Sequence, residues 1–219
     1  MTGALGPPWP PEVPPPGPPG QPGRPRPPTY PPVPLVYEGR PLGDQLAERL
    51  LDQRRVLVGG RLDLATATDA AARLMLLDGT GDEPIDLMLS CPDGDIIAAM
   101  ALADTVELVG VELRTLCAGS VGGPAVLPFA LGSRRLAQPH ASFRFTEPRL
   151  DVEGRTTRIV EETARHADLV DDLYRRIAAA TGQPVGTIAD DFRRHRLLTA
   201  PEAKAYGLID EVQRRLRRV

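Results

Sequence analysis

The segment that most constrains this chain is residues 115–127, TLCAGSVGGPAVL. A strand-like run at 111–116 leads into it, its middle is built from small residues, and a continuous apolar segment at 125–131 follows. A strand that passes into a helix through a small-residue turn is a place where a protein can hold a nucleophile and stabilise an oxyanion with backbone N–H groups. The rest of the sequence decides what scaffold carries this turn and whether the chemistry is present.

Upstream, apolar periodicity alternates between two types. Residues 42–51 put Leu42, Leu46, Ala47, Leu50 and Leu51 on one helical face. Residues 56–58 (VLV) form a short buried strand closed by Gly59 and Gly60. Ala67, Ala71, Leu74 and Leu77 recur at helical spacing over 65–77, and Asp78 and Gly79 end that helix. A second strand at 84–89 runs into CPDGD (91–95), and 96–109 is a third helical pattern. This alternation predicts an α/β domain with mostly parallel strands.

Downstream, 143–145 (FRF) is a short strand with alternating faces. Residues 153–180 form a long helix on which Ile159, Thr163, His166, Val170, Leu173 and Ile177 make a narrow seam. Such a seam suits packing along another helix. Gly182 is placed as its C-cap. Thr199 and Glu202 have capping-box spacing, Gly207 ends the short helix they open, and Leu208–Ile209 is a last strand-like pair.

With 219 residues the chain has room for one ordinary domain and a tail. The hydrophobic share of 42% supports a core, and the aromatic share of 4% predicts that this core is aliphatic. A net charge of −3, with Lys204 as the only lysine, gives no nucleic-acid or membrane signal. No run of about 18 apolar residues crosses a bilayer, and no basic patch followed by an apolar run opens the chain. A cytoplasmic location is therefore expected. Cys91 and Cys117 are too few for a disulfide framework and are expected as buried small hydrophobes.

Residues 1–34 are proline-rich, and proline fixes φ and removes backbone donors, so a disordered, extended tail is expected there. At ~3.1 Å per residue it would reach on the order of 100 Å. Trp9 and residues 24–28 are its candidate docking points. The folded domain is expected over 35–213, with 214–219 as a basic C-terminal tail.

Five blocks in order carry a family resemblance: RRVLVGGRLD (54–63), IDLMLSCPDGD (85–95), TLCAGSVGG (115–123), ATGQPVGTIADD (180–191) and LLTAPEAKAYGLIDEV (197–212). Over residues 37–212 they resemble the proteolytic subunit of the ATP-dependent Clp protease. The resemblance implies a Clp protease/crotonase-like fold, with mostly parallel sheets, flanking helices and a protruding long handle helix. It also implies heptameric rings stacked through that helix, with an AAA+ unfoldase docked on the outer faces. Asp86 and Met88 fall where family members usually have aromatic residues, which puts the apolar docking pockets in doubt.

The family is a serine peptidase with a Ser-His-Asp triad. Laid on its GQxASMG-like turn, MIHQP-like strand and SAxEAxxYGLID-like block, the sequence has Gly123 at the serine, Thr146 at the histidine and His195 at the aspartate. One oxyanion donor, the N–H after the nucleophile, falls on Pro124, and the PGG donor loop reads Pro92-Asp93-Gly94. A hydroxyl nucleophile needs a base in reach and a third group to orient that base. Gly123 has no side chain, Thr146 is no base near neutral pH, and His195 is an imidazole where a carboxylate is required. Pro124 has no N–H, and Asp93 brings negative charge to a site that stabilises it. Loss of a triad nucleophile costs roughly a million-fold, and loss of one oxyanion donor about a hundred- to a thousand-fold.

No catalytic residue, cofactor site or metal-ligand cluster is therefore expected. The chain is expected to be a non-catalytic subunit whose partners are itself or catalytic Clp proteolytic subunits, with an AAA+ unfoldase as a further candidate and neither nucleic acid nor membrane. Three alternatives stand beside it. One is an active, divergent serine peptidase using Ser120. Another is a crotonase-like acyl-CoA enzyme relying on an oxyanion hole alone, and the third is a homo-oligomeric scaffold unconnected with proteolysis. His140 and His166 are expected in surface or capping roles, and the Glu161-Glu162 and Asp171-Asp172 pairs on a solvated helix face.

Overall fold

The alternating strands and helices build one mostly parallel sheet, described by a computed structural model over residues 36–37, 40–150 and 156–213. The segments read as tails, 1–34 and 214–219, with Trp9 and residues 24–28, lie outside the described residues. A short antiparallel pair, β1 (Val36–Tyr37) and β2 (Arg40–Pro41), precedes α1 (Leu42–Asp52). Then come β3 (Arg55–Gly59), α2 (Leu64–Asp78), β4 (Ile85–Cys91), α3 (Ile96–Leu108) and β5 (Leu113–Gly122). A single helical turn, Gly123–Ala125, leads into α4 (Val126–Ala130), followed by β6 (Arg134–Ala137) and β7 (Ser142–Arg144). The long α5 (Thr156–Thr181), α6 (Val185–Arg193), β8 (Leu197–Thr199), α7 (Ala200–Tyr206) and β9 (Glu211–Val212) complete it.

The sheet order is β3-β4-β5-β6-β9, every pairing parallel; β7 adds to β5 in parallel and β8 to β7 antiparallel. Parallel neighbours need crossovers that return over the sheet face, and α2 and α3 supply them. Local caps hold the crossovers in place. The Asp63 carboxylate accepts from the Thr66 N–H at 2.8 Å, and the Thr199–Glu202 capping box is formed at the start of α7. Gly182 and Gly207 close α5 and α7 with φ of +73° and +87°.

Several expectations are corrected. The small residues after Leu116 are not a turn: β5 continues to Gly122 and changes partners along its length. Residues 114–117 pair with β6, the register against β4 shifts between Leu89 and Cys91, and residues 120–122 pair with β7. Small side chains let neighbours crowd a strand from both sides, so the segment that reads as a turn serves as a junction between two pairings. β3 is not wholly buried, since Leu57 is 53% exposed between buried Val56 and Val58, and Leu46 of α1 also faces outward. Leu208 and Ile209 are buried, but the closing strand lies just beyond them at β9. β6, α6 and β8 have no counterpart in the sequence expectations.

The core is not purely aliphatic either. All four phenylalanines, Phe129, Phe143, Phe145 and Phe192, are fully buried. The ring centroids of Phe129 and Phe143 are 5.0 Å apart, and Phe145 lies 5.1 Å from Phe192 and 5.7 Å from Tyr206. A composition counts aromatic side chains and says nothing of how many go inside.

On α5, Leu173 and Ile177 are buried, whereas Val170 and His166 are half-buried and Thr163 is exposed; the Ile159 side chain lies outside the described residues. The C-terminal half of the helix is thus anchored. Arg176 fastens it to α3 through Asp104 (2.8 Å) and Glu107 (2.9 Å). Among the described residues no helix is long and apolar enough to cross a membrane.

Candidate functional site

β5 ends at Gly122 and the backbone turns at Gly123, whose φ of +55° is a conformation that residues with side chains rarely adopt. Pro124 follows in the first helical turn, where its fixed φ suits helix initiation and its missing N–H costs no intrahelical bond. The turn is buried and runs into α4, with the Val126 N–H donating back to the Gly123 carbonyl. It therefore presents no side chain at 123 and no amide hydrogen at 124.

A loop from the end of β4, Pro92-Asp93-Gly94, lies against this turn. Backbone bonds fix it to the segment after β3: Leu62 N–H to the Asp93 carbonyl (3.0 Å) and Asp95 N–H to the Leu62 carbonyl (2.8 Å). A β-carbon on Gly122 would overlap the Pro92 carbonyl oxygen. One on Gly123 would stand 3.0 Å from Asp93 Oδ1 and 3.5 Å from the Thr146 carbonyl oxygen. The Asp93 charge is not bare, because Arg61 Nη1 bonds Oδ2 at 2.8 Å while Nη2 reaches Asp95 Oδ1 at 2.5 Å. Between these two carboxylates, with the Asp95 bond foremost, the Arg61 guanidinium is held above its ordinary value.

Gly123 and Thr146 thus come together, with Asp93 beside them. His195 comes from the far side. β7 and β8 pair Ser142 with Thr199, Phe143 with Leu198 and Arg144 with Leu197. The ladder ends with the Phe145 N–H donating to the Arg196 carbonyl at 2.8 Å, so Thr146 and His195 are the next residues on either side. His195 is exposed, with φ +50°, in a tight turn closed by its own N–H on the Phe192 carbonyl.

That turn is anchored by a polar cluster. Asp191, only 7% exposed, accepts from both Arg196 Nη1 (3.0 and 3.1 Å) and the Tyr206 hydroxyl (2.7 Å). The Arg196 guanidinium carbon also lies 5.1 Å from the Tyr206 ring centroid. Burial first, then the Asp191 bond, pushes the Tyr206 hydroxyl well above its usual range.

The other sequence candidates lie elsewhere. Ser120 is half-buried within β5, opposite Ser142 of β7, three residues before the turn. His140 is exposed in the loop between β6 and β7. Cys91 and Cys117 are free and fully buried, and burial raises their thiols to about 11 and about 12 respectively. Sequence reasoning missed Arg61, the residue that ties the Asp93 loop down. Its partners are 32 and 34 residues further on, with no local pattern to reveal them. Among the described residues no group of three or more His, Cys, Asp or Glu could hold a metal ion.

Comparison with known proteins adds an independent line. A family model described as Clp protease matches residues 39–215. The ATP-dependent Clp protease proteolytic subunit 1 of Bacillus cereus (strain ATCC 10987 / NRS 248) is 33% identical over 187 residues, covering 82% of this chain and 96% of that protein. The ATP-dependent Clp protease proteolytic subunit 3 of Streptomyces coelicolor (strain ATCC BAA-471 / A3(2) / M145) is 35% identical over 173 residues, covering 77% and 79%.

Proposed function

The chain belongs to the Clp protease family, and from that premise we propose that it is a catalytically inert proteolytic-subunit homologue, retained for its place in a Clp-type ring. The observation that carries this reading is the Gly123–Pro124 turn facing Asp93. At the position where the family resemblance puts the nucleophile there is no side chain, and the next residue has no amide hydrogen. Neither Thr146 nor His195 restores the function of the residue it replaces. Ser120 sits too far back along β5 to take over at the turn.

The anchored α5, with its half-buried seam, supports assembly with copies of itself or with catalytic paralogues in stacked rings. An AAA+ unfoldase is the further partner this reading supplies, in the cytoplasm. The sheet face that would meet it has changed in character. Strand register puts Arg55, Asp86, Arg114 and Arg134 in one row and Leu57, Met88, Leu116 and Leu136 in a second. Asp86 bonds Arg114 at 2.7 Å and Arg55 at 3.5 Å. An apolar stripe edged by ion pairs favours partners different from those of an all-apolar pocket, so the subunit would alter which unfoldase a mixed ring engages.

Purification of the tagged chain from its native cell, followed by native mass spectrometry, tests this. A ring mass in which this chain co-assembles with a catalytic paralogue is expected. A homo-oligomer with neither a catalytic paralogue nor an unfoldase co-purifying would leave the chain as a scaffold outside proteolysis, and a monomer would contradict any place in a ring.

A further inference from the structure

The space beside Gly123, where a catalytic pocket would lie, is entered by the protein itself. Asp93 Oδ1 lies 3.0 Å from the point a β-carbon on Gly123 would take, so the carboxylate stands against the turn with 40% of its side chain still exposed. Three separate features hold it there. The backbone of residues 93–95 is bonded on both sides to Leu62, which also makes a parallel bridge with Gly94. Arg61 spreads its two terminal nitrogens over Asp93 and Asp95, fixing the Asp93 side chain as well as its backbone. Finally, Gly122 lets the Pro92 carbonyl drop onto β5, where any side chain at 122 would prop the loop away. Gly122, Gly123, Asp93 and Arg61 therefore form one co-adapted set: two absent side chains on one wall and a braced carboxylate on the other.

We propose that Asp93, positioned by Arg61, is a built-in plug that closes the Gly123 pocket to a substrate carbonyl. The proposal rests on the placement of the site at this turn, and it goes beyond loss of the nucleophile. The pocket is closed as well as disarmed, so a serine returned to position 123 alone meets a carboxylate rather than a peptide. Asp93 also brings negative charge, only partly offset by Arg61, to the space an oxyanion would need, which disfavours the developing charge of acyl transfer. Arg61 acts only through Asp93 and is a positioning residue.

Thiol access tests the plug without depending on any enzymatic activity. In the full-length chain, Gly123→Cys places a reporter in the pocket, with buried Cys91 and Cys117 as slow internal references. Iodoacetamide alkylation is followed across pH by mass spectrometry. The limiting rate reports access, and the midpoint reports the charge beside the thiol. The plug predicts a limiting rate that rises at least about tenfold when Asp93→Gly is added, and in part with Arg61→Gln, together with a lower midpoint in the Asp93→Gly variant because a neighbouring anion raises a thiol pKa. Equal limiting rates with and without Asp93 would overturn the proposal.

Because φ +55° at 123 strains any side chain, Arg61→Gln in an otherwise native chain provides a second readout by hydrogen exchange. Faster exchange at residues 92–95 and also at 121–126 supports a loop that covers the turn. Acceleration confined to 92–95 contradicts it. Failure here leaves the inert-subunit reading intact, whereas peptide turnover by the native chain would remove that reading and leave the thiol result standing.

Discussion

The Tyr206 hydroxyl donates to the Asp191 carboxylate at 2.7 Å inside the core, and this bond joins α7 to the turn that carries His195. Asp191 also accepts both short contacts from Arg196, so one carboxylate holds α6, the turn before β8, and α7 together. A buried hydrogen bond to a charged group contributes about 1.5–3 kcal/mol. Tyr206→Phe should therefore lower stability by about that amount, read from urea unfolding midpoints. Arg196→Met should cost less, about 1 kcal/mol or below, because the arginine side chain is 45% solvent-exposed and its pairing is screened. The opposite ranking would show that the arginine, not the tyrosine, anchors the turn.

The two thiols give a pH signature. Burial raises Cys91 to about 11 and Cys117 to about 12, so each keeps its proton in the folded chain where the unfolded chain loses it near ~8.5. The folded state then binds more protons above that value, and stability falls as pH rises through it. Unfolding midpoints measured at neutral pH and near pH 9.5 should separate in the native chain and converge in the Cys91→Ala/Cys117→Ala double variant. Equal midpoints in the native chain would mean that the thiols are not protected by burial.

Arg135 gathers the C-terminal part of the fold. Its Nη1 donates to the carbonyls of Ala180 (2.7 Å) and Gly207 (2.9 Å), and Nη2 bonds Asp210 Oδ1 at 2.7 Å. Burial works to raise the Asp210 carboxyl, but the hydrogen bonds and charge of Arg135 outweigh it, and the group sits below its usual value. The stability this brings is complete above the unfolded carboxyl pKa, near ~3.9, and is lost as pH falls through the lower folded value. Asp210→Asn should cost about 1 kcal/mol at neutral pH, allowing for a side chain 42% exposed, and should flatten the acid limb of unfolding below pH ~4. An unchanged acid limb would assign that limb to other carboxylates.

What was legible in the sequence were the features with local causes. The helices α1, α2, α3 and α5 and the capping box at Thr199 and Glu202 are set by neighbours within a few residues, and all formed, although Leu46 and Thr163 of the expected apolar faces are exposed. Elements made by distant partners were hidden. β6 reads RRLA, and its arginines look like surface until Glu211 and Asp210 pair with them from 77 and 75 residues away. The change of partner along β5 is invisible for the same reason, since small residues are read as a turn when the strand they join is not yet known. At the site, the motif order assigns Gly123, Pro124, Asp93, Thr146 and His195 by resemblance, and the structure brings Asp93 and the Thr146 carbonyl beside Gly123. The closed geometry was not legible, because it depends on Arg61, whose role exists only once β3 and β4 lie side by side.

An inert subunit, as proposed above, performs no acyl transfer at the Gly123–Pro124 turn. Turnover of a fluorogenic peptide by the purified full-length chain, run with a serine-reactive fluorophosphonate and compared with Ser120→Ala, decides this. No turnover above the buffer rate and no covalent adduct are expected in either protein. Turnover with a stoichiometric adduct in the native chain, both abolished by Ser120→Ala, would contradict the claim.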